Sequence, residues 1–296
     1  MSYLTSFGAL GREAYAYVAQ DLGYFNSAGL DVTIKPGTGT GNNLKLIAAG
    51  KVDFAPCDFT GTLIEISKEH LPVTAVGVIH QHSLSSIMAL DSGHIDGPQS
   101  LEGKTIADQA GSTGPMLFPV YAKQAGIDAS KVKWVNFPAP QLPTVLAAGK
   151  VDAIGQFVVG RPLIEQAAKG HKAVVLPYST YLRDLYSNAI FTSKSFAKHK
   201  PDVVRRFTKA LLRGLDYAVK HPDEAARIFV KHQPTQNAAE SAAELRLMAP
   251  YVRSGSAPIG ALDEKRVMRS IAILQAAGAI ERGLSPSKVA DFDLAP

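Results

Sequence analysis

Short runs of β-branched and apolar residues alternate with longer stretches of helical spacing along the first part of the chain. The short runs predict strands at residues 4–7, 30–35 and 52–55. In the longer stretches apolar residues recur every three or four positions, which predicts helices at residues 14–22 and 43–49. Strands and helices that alternate in this way are typical of a mainly parallel sheet flanked by helices, so we predict an α/β fold.

One short sequence occurs twice. Residues 48–53 and residues 147–152 are both AAGKVD, and each copy follows a leucine-bearing helical stretch. A glycine at this position can adopt the left-handed conformation that ends a helix, and the valine can open the next buried strand. Such a repeat also arises by chance or as a good helix-to-strand connection. Its equivalent place in two halves of the chain favours two similar α/β lobes.

Two extended apolar segments bracket the second copy of the repeat. We interpret these segments, Ser85–Leu90 and residues 188–192, as two crossings between lobes, which together would form a hinge. The predicted lobes are therefore residues 1–88 with 190–296, and residues 89–189. After the second crossing the apolar residues keep helical spacing, and we expect these C-terminal helices to pack on the first lobe.

The composition is that of a globular protein. Of 296 residues, 46% are hydrophobic and 19% are charged, which excludes a disordered chain. The longest apolar stretch, residues 71–79, falls short of the roughly 20 residues that a membrane-spanning helix needs. The single cysteine, Cys57, excludes an internal disulfide and a cysteine-rich metal site. The formal charge of +5 is spread widely without interleaved aromatic residues, so we expect no nucleic-acid partner.

The loops that follow the predicted strands are the candidate ligand site, because ligands of open α/β sheets bind beyond the carboxyl ends of the strands. The strongest candidate is the turn at residues 111–115, which opens a helix whose free N–H groups would attract an acceptor or an anion. Pro115 removes one of these donors. The glycine-rich residues 37–42 would let the backbone approach a ligand, although a flexible connection explains them as well. Their spacing is not that of a phosphate-binding loop.

Several side chains near other strand ends allow two interpretations. Arg12 and Glu13 offer a cation and a carboxylate at a helix entrance, but an exposed turn would contain the same residues. Cys57 is more typical of a small buried hydrophobe than of a nucleophile. His80 and His82 would share one face of a strand, and two histidines without a third ligand indicate polar contacts or exposure rather than zinc.

The predicted ligand contacts are residues at these strand ends, with phenylalanine rings stacking on a flat ligand and polar groups donating or accepting hydrogen bonds. They are Gly8, Leu10, Glu13, Thr38, Thr40, Asp58, Phe59, His80, Ser112, Thr113, Gly114, Phe137, Gln141, Gln156, Phe157 and Asn188. The sequence predicts no catalytic residue, no bound metal and no cofactor.

Short fragments spread over nearly the whole chain carry a family resemblance: YVA at 17–19, GYF at 23–25, GLDV at 29–32, LEGKTI at 101–106, GST at 111–113 and AGKVDA at 148–153. In this order and spacing they resemble the solute-binding proteins of the sulfonate, nitrate and thiamine-precursor group of bacterial ABC uptake systems. The resemblance implies a type II periplasmic-binding fold, closure of two lobes around a small molecule, and delivery to ABC permease subunits of the inner membrane. It also implies ligand contacts from residues 111–114.

The resemblance further implies export to the periplasm or another extracytoplasmic space, often with a lipid anchor. Because Met1 runs almost directly into the first predicted strand, we expect the export segment to be absent from this sequence. We expect a monomer that catalyses no reaction. Relatives that bind pyrimidines often carry a histidine near the place of Glu13. The yeast-like pyrimidine synthases of the superfamily carry a cysteine-rich stretch that this chain lacks, and Cys57 does not occupy the place of the desulfinase cysteine.

The expected ligand is a small polar organic molecule, with a flat aromatic or heteroaromatic ring as one option. Nitrate or a simple sulfonate is the alternative within the same class. An enzyme on the same fold is the alternative of another class; it would use Cys57 as a nucleophile or a lysine that holds a pyridoxal cofactor. The effector domain of a transcription regulator is a third hypothesis, but no helix-turn-helix pattern accompanies this chain.

Overall fold

Strands and helices alternate through most of the chain in the computed structural model, which describes all 296 residues. The twelve strands are β1 (Ser2–Leu4), β2 (Phe7–Gly8), β3 (Thr33–Lys35), β4 (Gly37–Thr38), β5 (Ala55–Asp58), β6 (Val73–Val78), β7 (Ser85–Leu90), β8 (Thr105–Asp108), β9 (Lys133–Asn136), β10 (Ala153–Phe157), β11 (Ala173–Pro177) and β12 (Asn188–Ser193). The thirteen helices are α1 (Ala14–Asp21), α2 (Tyr24–Ser27), α3 (Thr40–Ala48), α4 (Phe59–Glu69), α5 (Thr113–Ala125), α6 (Leu142–Ala147), α7 (Arg161–Ala167), α8 (Lys194–His199), α9 (Pro201–Lys220), α10 (Pro222–His232), α11 (Ala238–Val252), α12 (Glu264–Ala276) and α13 (Pro286–Val289). The α/β expectation is confirmed.

The chain divides into two compact units. Unit 1 consists of Met1–His82 with Leu185–Pro296, and unit 2 consists of Ser83–Asp184. The chain therefore passes between the units twice, a few residues before each of the two predicted crossings. All helices from α8 onward belong to unit 1.

The sheet of unit 1 has one antiparallel strand. β1 pairs with β3 in parallel, and a parallel bridge between Tyr3 and Phe54 connects β1 to the start of β5. β12 lies between β5 and β6 and is antiparallel to both. The carboxyl ends of β1, β5 and β6 therefore share one edge of the sheet with Asn188, the first residue of β12. The short antiparallel pair of β2 and β4 follows the same edge.

The sheet of unit 2 follows the same plan. Its strand order is β11–β7–β10–β8–β9, in which β8 is parallel to both β9 and β10. β7 is antiparallel to its two neighbours, β10 and β11. The carboxyl ends of the other four strands therefore share an edge with Ser85, the first residue of β7.

The repeated AAGKVD sequence has the same structure in both units. In each copy the glycine has a φ of +65°, and the following lysine N–H donates back to a carbonyl of the helix at 3.0 Å. The aspartate then accepts a backbone N–H from the first residue of the neighbouring strand: Asp53 from Ser2 at 2.7 Å, and Asp152 from Thr105 at 2.8 Å. The predicted helix-to-strand connection thus also fixes two strands of each sheet to one another.

Helix α9 forms the centre of the unit 1 core. The ring of Phe207 stacks on Phe54 at 4.0 Å between centroids and on Phe25 at 5.4 Å. Gly214 allows α9 to approach α1, since a Cβ at this position would lie 2.4 Å from the carbonyl oxygen of Tyr15.

None of the helices combines the length and apolar character that crossing a membrane requires.

Several predicted elements differ from the structure, and the predicted strands at residues 4–7 and 30–35 are shorter or shifted as β1 and β3. The strand predicted at residues 52–55 begins only at Ala55, because Asp53 is still part of the turn that binds Ser2. The segments interpreted as crossings are internal strands: Ser85–Leu90 lies wholly in unit 2, and residues 188–192 lie in unit 1. Both are buried because each pairs with a strand on either side.

Candidate functional site

A group of buried polar side chains lies at the carboxyl edge of the unit 1 sheet. They lie at or beyond the carboxyl ends of β1, β5 and β6, after the short β2–β4 pair, or at the start of β12. They are Ser6, Arg12, Glu13, Thr40, Asp58, His80 and Asn188, each less than 9% exposed. We call these residues the unit 1 polar cluster. Side chains of this kind are seldom buried unless they pair with one another or bind something else.

The turn Gly11–Glu13 carries two members of the cluster and is held by α11. A Cβ on Gly11 would lie 2.4 Å from the Cα of Ser241, so only glycine permits this approach. The N–H of Arg12 donates to Glu244 Oε2 at 2.8 Å. Helix α11, in the C-terminal part of the chain, therefore fixes the position of both Arg12 and Glu13.

The carboxyl group of Glu13 is buried in a network of hydroxyls. Ser6 Oγ donates to Oε1, and Tyr15 Oη donates to Oε2 at 3.0 Å. Burial raises the pKa of Glu13, and the hydroxyl of Ser6 and the charge of Arg12 offset part of that rise. Ionisation of Glu13 therefore costs desolvation energy, and a further donor would stabilise its charged form.

The positive charge of Arg12 is balanced by buried carboxyl groups. Burial also raises the pKa of Glu244, and Arg12 again lowers it in part. The guanidinium of Arg12 thus interacts with two carboxyls, Glu13 and Glu244, in the same buried region. An anionic ligand would have to compete with both of them for this cation.

Asp58 ends β5 and caps the amino terminus of α4. Its Oδ1 accepts the N–H of Gly61 at 2.8 Å, and its Oδ2 accepts the hydroxyl of Ser187 at 3.3 Å. Despite these donors, burial raises the pKa of Asp58 to about 6. The neighbouring Cys57 is fully buried, and burial raises the pKa of its thiol, which keeps it protonated.

His80 and Asn188 lie side by side at the ends of β6 and β12. The carbonyl oxygen of Asn188 accepts the N–H groups of Ile79 at 2.8 Å and of His80 at 3.0 Å. Each residue is only 2% exposed. No protein group lies within hydrogen-bonding distance of either ring nitrogen of His80 or of Asn188 Nδ2. Burial, reinforced by the charge of Arg12, lowers the pKa of His80 to about 3, so the imidazole is neutral.

A buried carboxyl group also faces the predicted turn of unit 2. Asp108 ends β8 immediately before this turn, and burial raises its pKa to about 6, with the Ser112 hydroxyl offsetting part of the rise. A Cβ on Gly114 would lie 2.4 Å from Asp108 Oδ2, and one on Gly155 would lie 2.0 Å away. A carboxyl group therefore lies beside the positive end of α5 and would compete with an anion for this turn. Contact of the turn with a ligand stays a prediction.

The aromatic residues are placed differently from the prediction. Phe59 is fully buried, and its ring packs edge-on against Tyr186 at 5.4 Å, so it belongs to the unit 1 core and not to a ring-stacking surface. Phe137 and Phe157 are half-buried. Unit 2 instead contains a stacked tyrosine pair that the sequence analysis did not select, Tyr121 on Tyr178 at 4.5 Å.

The remaining predicted contacts fall into two groups. Thr40 and Thr113 are buried, and Thr40 Oγ1 accepts the N–H of Asp58 at 3.0 Å. The half-buried or exposed residues are Gly8, Leu10, Thr38, Ser112, Gly114, Gln141 and Gln156. The side-chain oxygen of Gln156 accepts the N–H of Phe157 at 2.8 Å, so the oxygen of this amide already has a partner.

Sequence reasoning missed Asp108 and Glu244. Asp108 had a usable signal, since it is an acid just before the predicted turn at residues 111–115. Glu244 had none, because its contact with Arg12 joins residues more than 200 positions apart. Only the packing of α11 brings the two together.

The match to a protein family covers most of the chain. The family model described as NMT1/THI5 like matches residues 13–225. The chain belongs to the NMT1/THI5-like family. Among its NMT1/THI5-like relatives is the formylaminopyrimidine-binding protein of Halalkalibacterium halodurans, which is 25% identical over 224 residues, 75% of this chain and 67% of the relative.

A solved structure shows the same fold. The alkanesulfonate-binding protein SsuA of Xanthomonas axonopodis pv. citri aligns with a TM-score of 0.78 over 98% of each chain, at 15% identity. This NMT1/THI5-like chain therefore has the α/β periplasmic-binding-protein fold that ABC solute-binding proteins share, as the sequence resemblance implied.

The expectation that the protein catalyses no reaction is wrong. A second NMT1/THI5-like relative is named 4-amino-5-hydroxymethyl-2-methylpyrimidine phosphate synthase THI13, from Saccharomyces cerevisiae, and is 26% identical over 236 residues, 75% of this chain and 67% of the relative. The family contains named enzymes as well as binding proteins, so membership leaves an enzymatic role open.

Proposed function

We propose that this protein binds an amino-substituted nitrogen heterocycle of the pyrimidine class and serves as the substrate-binding component of an ABC import system. The observation that carries the proposal is the pair of buried carboxyl groups at the carboxyl edge of the unit 1 sheet, Glu13 and Asp58. The name of the Halalkalibacterium relative supports the same ligand class.

The argument is one of charge and hydrogen-bonding direction. Burial raises the pKa of both carboxyls, which means that their ionised forms lack enough donors. The N–H groups of an amino-substituted ring would supply such donors, and a hydrogen bond to a charged group is worth about 1.5–3 kcal/mol. Nitrate or a sulfonate offers acceptors only and would add negative charge beside carboxylates. The oxyanion alternative is therefore disfavoured.

An uptake role brings further proposals. The protein would act outside the cytoplasm and present its ligand to permease subunits, as the solute-binding proteins that share its fold do. Capture by closure of two lobes stays a prediction. So does the monomeric state.

Pyrimidine synthesis on the same fold is a second candidate, favoured by the name of the yeast relative. Such a role would need a nucleophile or a cofactor-bearing lysine. Cys57 is a poor nucleophile because burial keeps its thiol protonated. A synthase would be revealed by the absorbance of bound pyridoxal phosphate, or by a new pyrimidine or a protein mass change after incubation with that cofactor.

Calorimetric titration with four probes tests the binding proposal. They are 4-amino-5-hydroxymethyl-2-methylpyrimidine, its N-formyl derivative, nitrate and an alkanesulfonate. We expect binding of the aminopyrimidines and none of the anions. Asp58→Asn should weaken binding at least about 10-fold, since it removes a charged acceptor. The exposed Asp31→Asn should change nothing. Binding of the anions alone, or binding of the aminopyrimidines with unchanged affinity in Asp58→Asn, would refute the proposal.

A further inference from the structure

Three buried nitrogen atoms at the edge of the unit 1 sheet have no partner in the protein. They are Nδ1 and Nε2 of His80 and Nδ2 of Asn188, each on a side chain that is only 2% exposed. Leaving a buried polar group unpaired costs about 1–3 kcal/mol, so native proteins seldom do it without a reason. Three such atoms on two adjacent residues indicate that something else is bound there.

The local backbone holds the two side chains in one place. His80 and Ile79 both donate their N–H groups to the carbonyl oxygen of Asn188, and the N–H of Ser187 donates to the carbonyl oxygen of His80 at 3.1 Å. Asn188 is also directly opposite Asp58 in the antiparallel pairing of β12 with β5. Opposite residues of an antiparallel pair project from the same face of the sheet. Asp58 and Asn188 therefore belong to one surface, and the backbone hydrogen bonds hold His80 beside Asn188.

We propose that His80 and Asn188 form a specificity subsite for a neutral amidine-like edge, in which a ring nitrogen lies next to an exocyclic amino group. This inference rests on the proposed binding of a pyrimidine. It goes further by naming the part of the ligand that is recognised and the residues that recognise it.

The hydrogen-bonding capacity of the two side chains decides the ligand chemistry. A neutral imidazole has one donor and one acceptor nitrogen, and the amide nitrogen of asparagine has two donors. A ring nitrogen accepts from the asparagine amide, while an adjacent amino group donates to the imidazole acceptor. An aminopyrimidine presents both groups on one edge. An edge with only donors or only acceptors cannot pair both the amide and the imidazole acceptor. The second imidazole nitrogen points away from this edge.

The same capacity excludes two other ligand classes from the subsite. A sulfonate, nitrate or carboxylate has no donor for the imidazole acceptor. A protonated amine has no acceptor for the imidazole N–H or for the asparagine amide, and the nearby charge of Arg12, which helps to keep His80 neutral, opposes a cation. Unpaired polar groups in a buried site are strong discriminators against the wrong ligand.

A protein–ligand double-mutant cycle tests the subsite. The probes are 4-amino-5-hydroxymethyl-2-methylpyrimidine and the same ring without the 4-amino group, titrated into the full chain by calorimetry. His80→Phe fills the same space without polar atoms, and His80→Gln restores one donor and one acceptor. Asn188→Leu removes the amide, and the exposed His199→Phe is the matched control.

We expect His80→Phe and Asn188→Leu each to weaken binding of the aminopyrimidine by about 10- to 100-fold. For His80→Phe, binding of the desamino ring should change less than about threefold, because that ring lacks the amino group that donates to the imidazole. Asn188→Leu should weaken both probes, because both keep the ring nitrogen that accepts from the amide. His80→Gln should keep part of the lost affinity, and His199→Phe should match the wild type. His80→Phe should also unfold at no lower temperature than the wild type in the absence of ligand, because it removes unpaired buried nitrogens. If His80→Phe does not fold, its thermal unfolding curve will show this, and His80→Gln then replaces it in the double-mutant cycle.

The outcomes separate the subsite from the proposed function. If the wild type binds neither pyrimidine, both proposals fall. If it binds the aminopyrimidine but His80→Phe weakens both probes equally or not at all, or Asn188→Leu leaves both probes unchanged, only the subsite falls. Long-range ¹H–¹⁵N spectra of His80 give an independent readout, since the ring nitrogen shifts should move on addition of the aminopyrimidine. Unchanged shifts, or a crystal structure of the complex in which these nitrogens contact only water, would overturn the subsite.

Discussion

Replacing Asp58 by asparagine should stabilise the ligand-free protein at neutral pH while weakening its affinity for ligand. Asp58 is 1% exposed, and burial raises its pKa from 3.8 to about 6. Between these two values the folded protein holds the proton that the unfolded chain has released. The free energy of unfolding therefore falls as the pH rises from about 4 to about 6. Asparagine has the same shape, does not ionise, and still accepts the N–H of Gly61 as the cap of α4.

The size of the effect follows from the change in pKa. Each pKa unit corresponds to about 1.36 kcal/mol, so the rise of Asp58 represents about 3 kcal/mol of lost stability above pH 6. The asparagine variant should regain this stability, minus the free energy lost because its hydrogen bond to Ser187 is weaker. We expect a net gain of about 1–3 kcal/mol, or about 2–10 °C in melting temperature for a unit of this size.

Thermal unfolding measured at several pH values from about 4 to about 8 checks this prediction, with Asp31→Asn as the exposed control. The stability difference between Asp58→Asn and the wild type should be small near pH 4, grow through pH 6 and then level off. The control should show no such growth. If Asp58→Asn is less stable than the wild type by the same margin at both ends of the range, the carboxylate is better solvated than its burial indicates and the reasoning fails.

Three further predictions test the burial of Cys57, the backbone conformation of the repeated glycines and the contact of Gly11 with α11. Cys57 should react with a thiol reagent only when the protein unfolds, and modification at the rate of a free thiol would contradict its burial. Gly50→Ala and Gly149→Ala should each lower the free energy of unfolding by about 1 kcal/mol, because both glycines have a φ of +65°, whereas Gly41→Ala in α3 should not. Gly11→Ala should weaken ligand binding as well as lower the melting temperature, since its Cβ would force α11 away from the turn; unchanged affinity would remove that turn from the site.

The sequence was sufficient to predict the fold because the fold depends on local signals that repeat. The alternation of strands with helices appears in the hydrophobic pattern, and the AAGKVD repeat marks the same connection in both units. It was not sufficient to assign the role of Ser85–Leu90. An extended apolar segment has the same pattern whether it connects two lobes or pairs on both sides within one sheet, and only the tertiary pairing decides.

The site was predicted less completely. Asp58, His80 and Asn188 were selected because they follow or begin strands, and the structure brings them to one edge of a sheet. Phe59 was selected by the same rule, but the direction of a side chain at the start of a helix depends on packing, and its ring points into the core. Glu244 accepts a hydrogen bond from Arg12, which lies far away in the sequence, and no local sequence pattern predicts such a contact.

The repeat also separates what the scaffold requires from what the ligand requires. Since Asp53 binds the start of β1 and Asp152 binds the start of β8, β1 corresponds to β8 and β5 corresponds to β10. The corresponding strand ends carry different groups: β5 ends in Asp58, whereas β10 ends in Phe157, and the buried acid of unit 2 lies on β8 instead. A carboxyl group that the fold needed would occupy the corresponding strand in both units, as the two repeat aspartates do. Asp58 and Asp108 break that correspondence and raise the cost of folding, which is the behaviour expected of groups retained for binding.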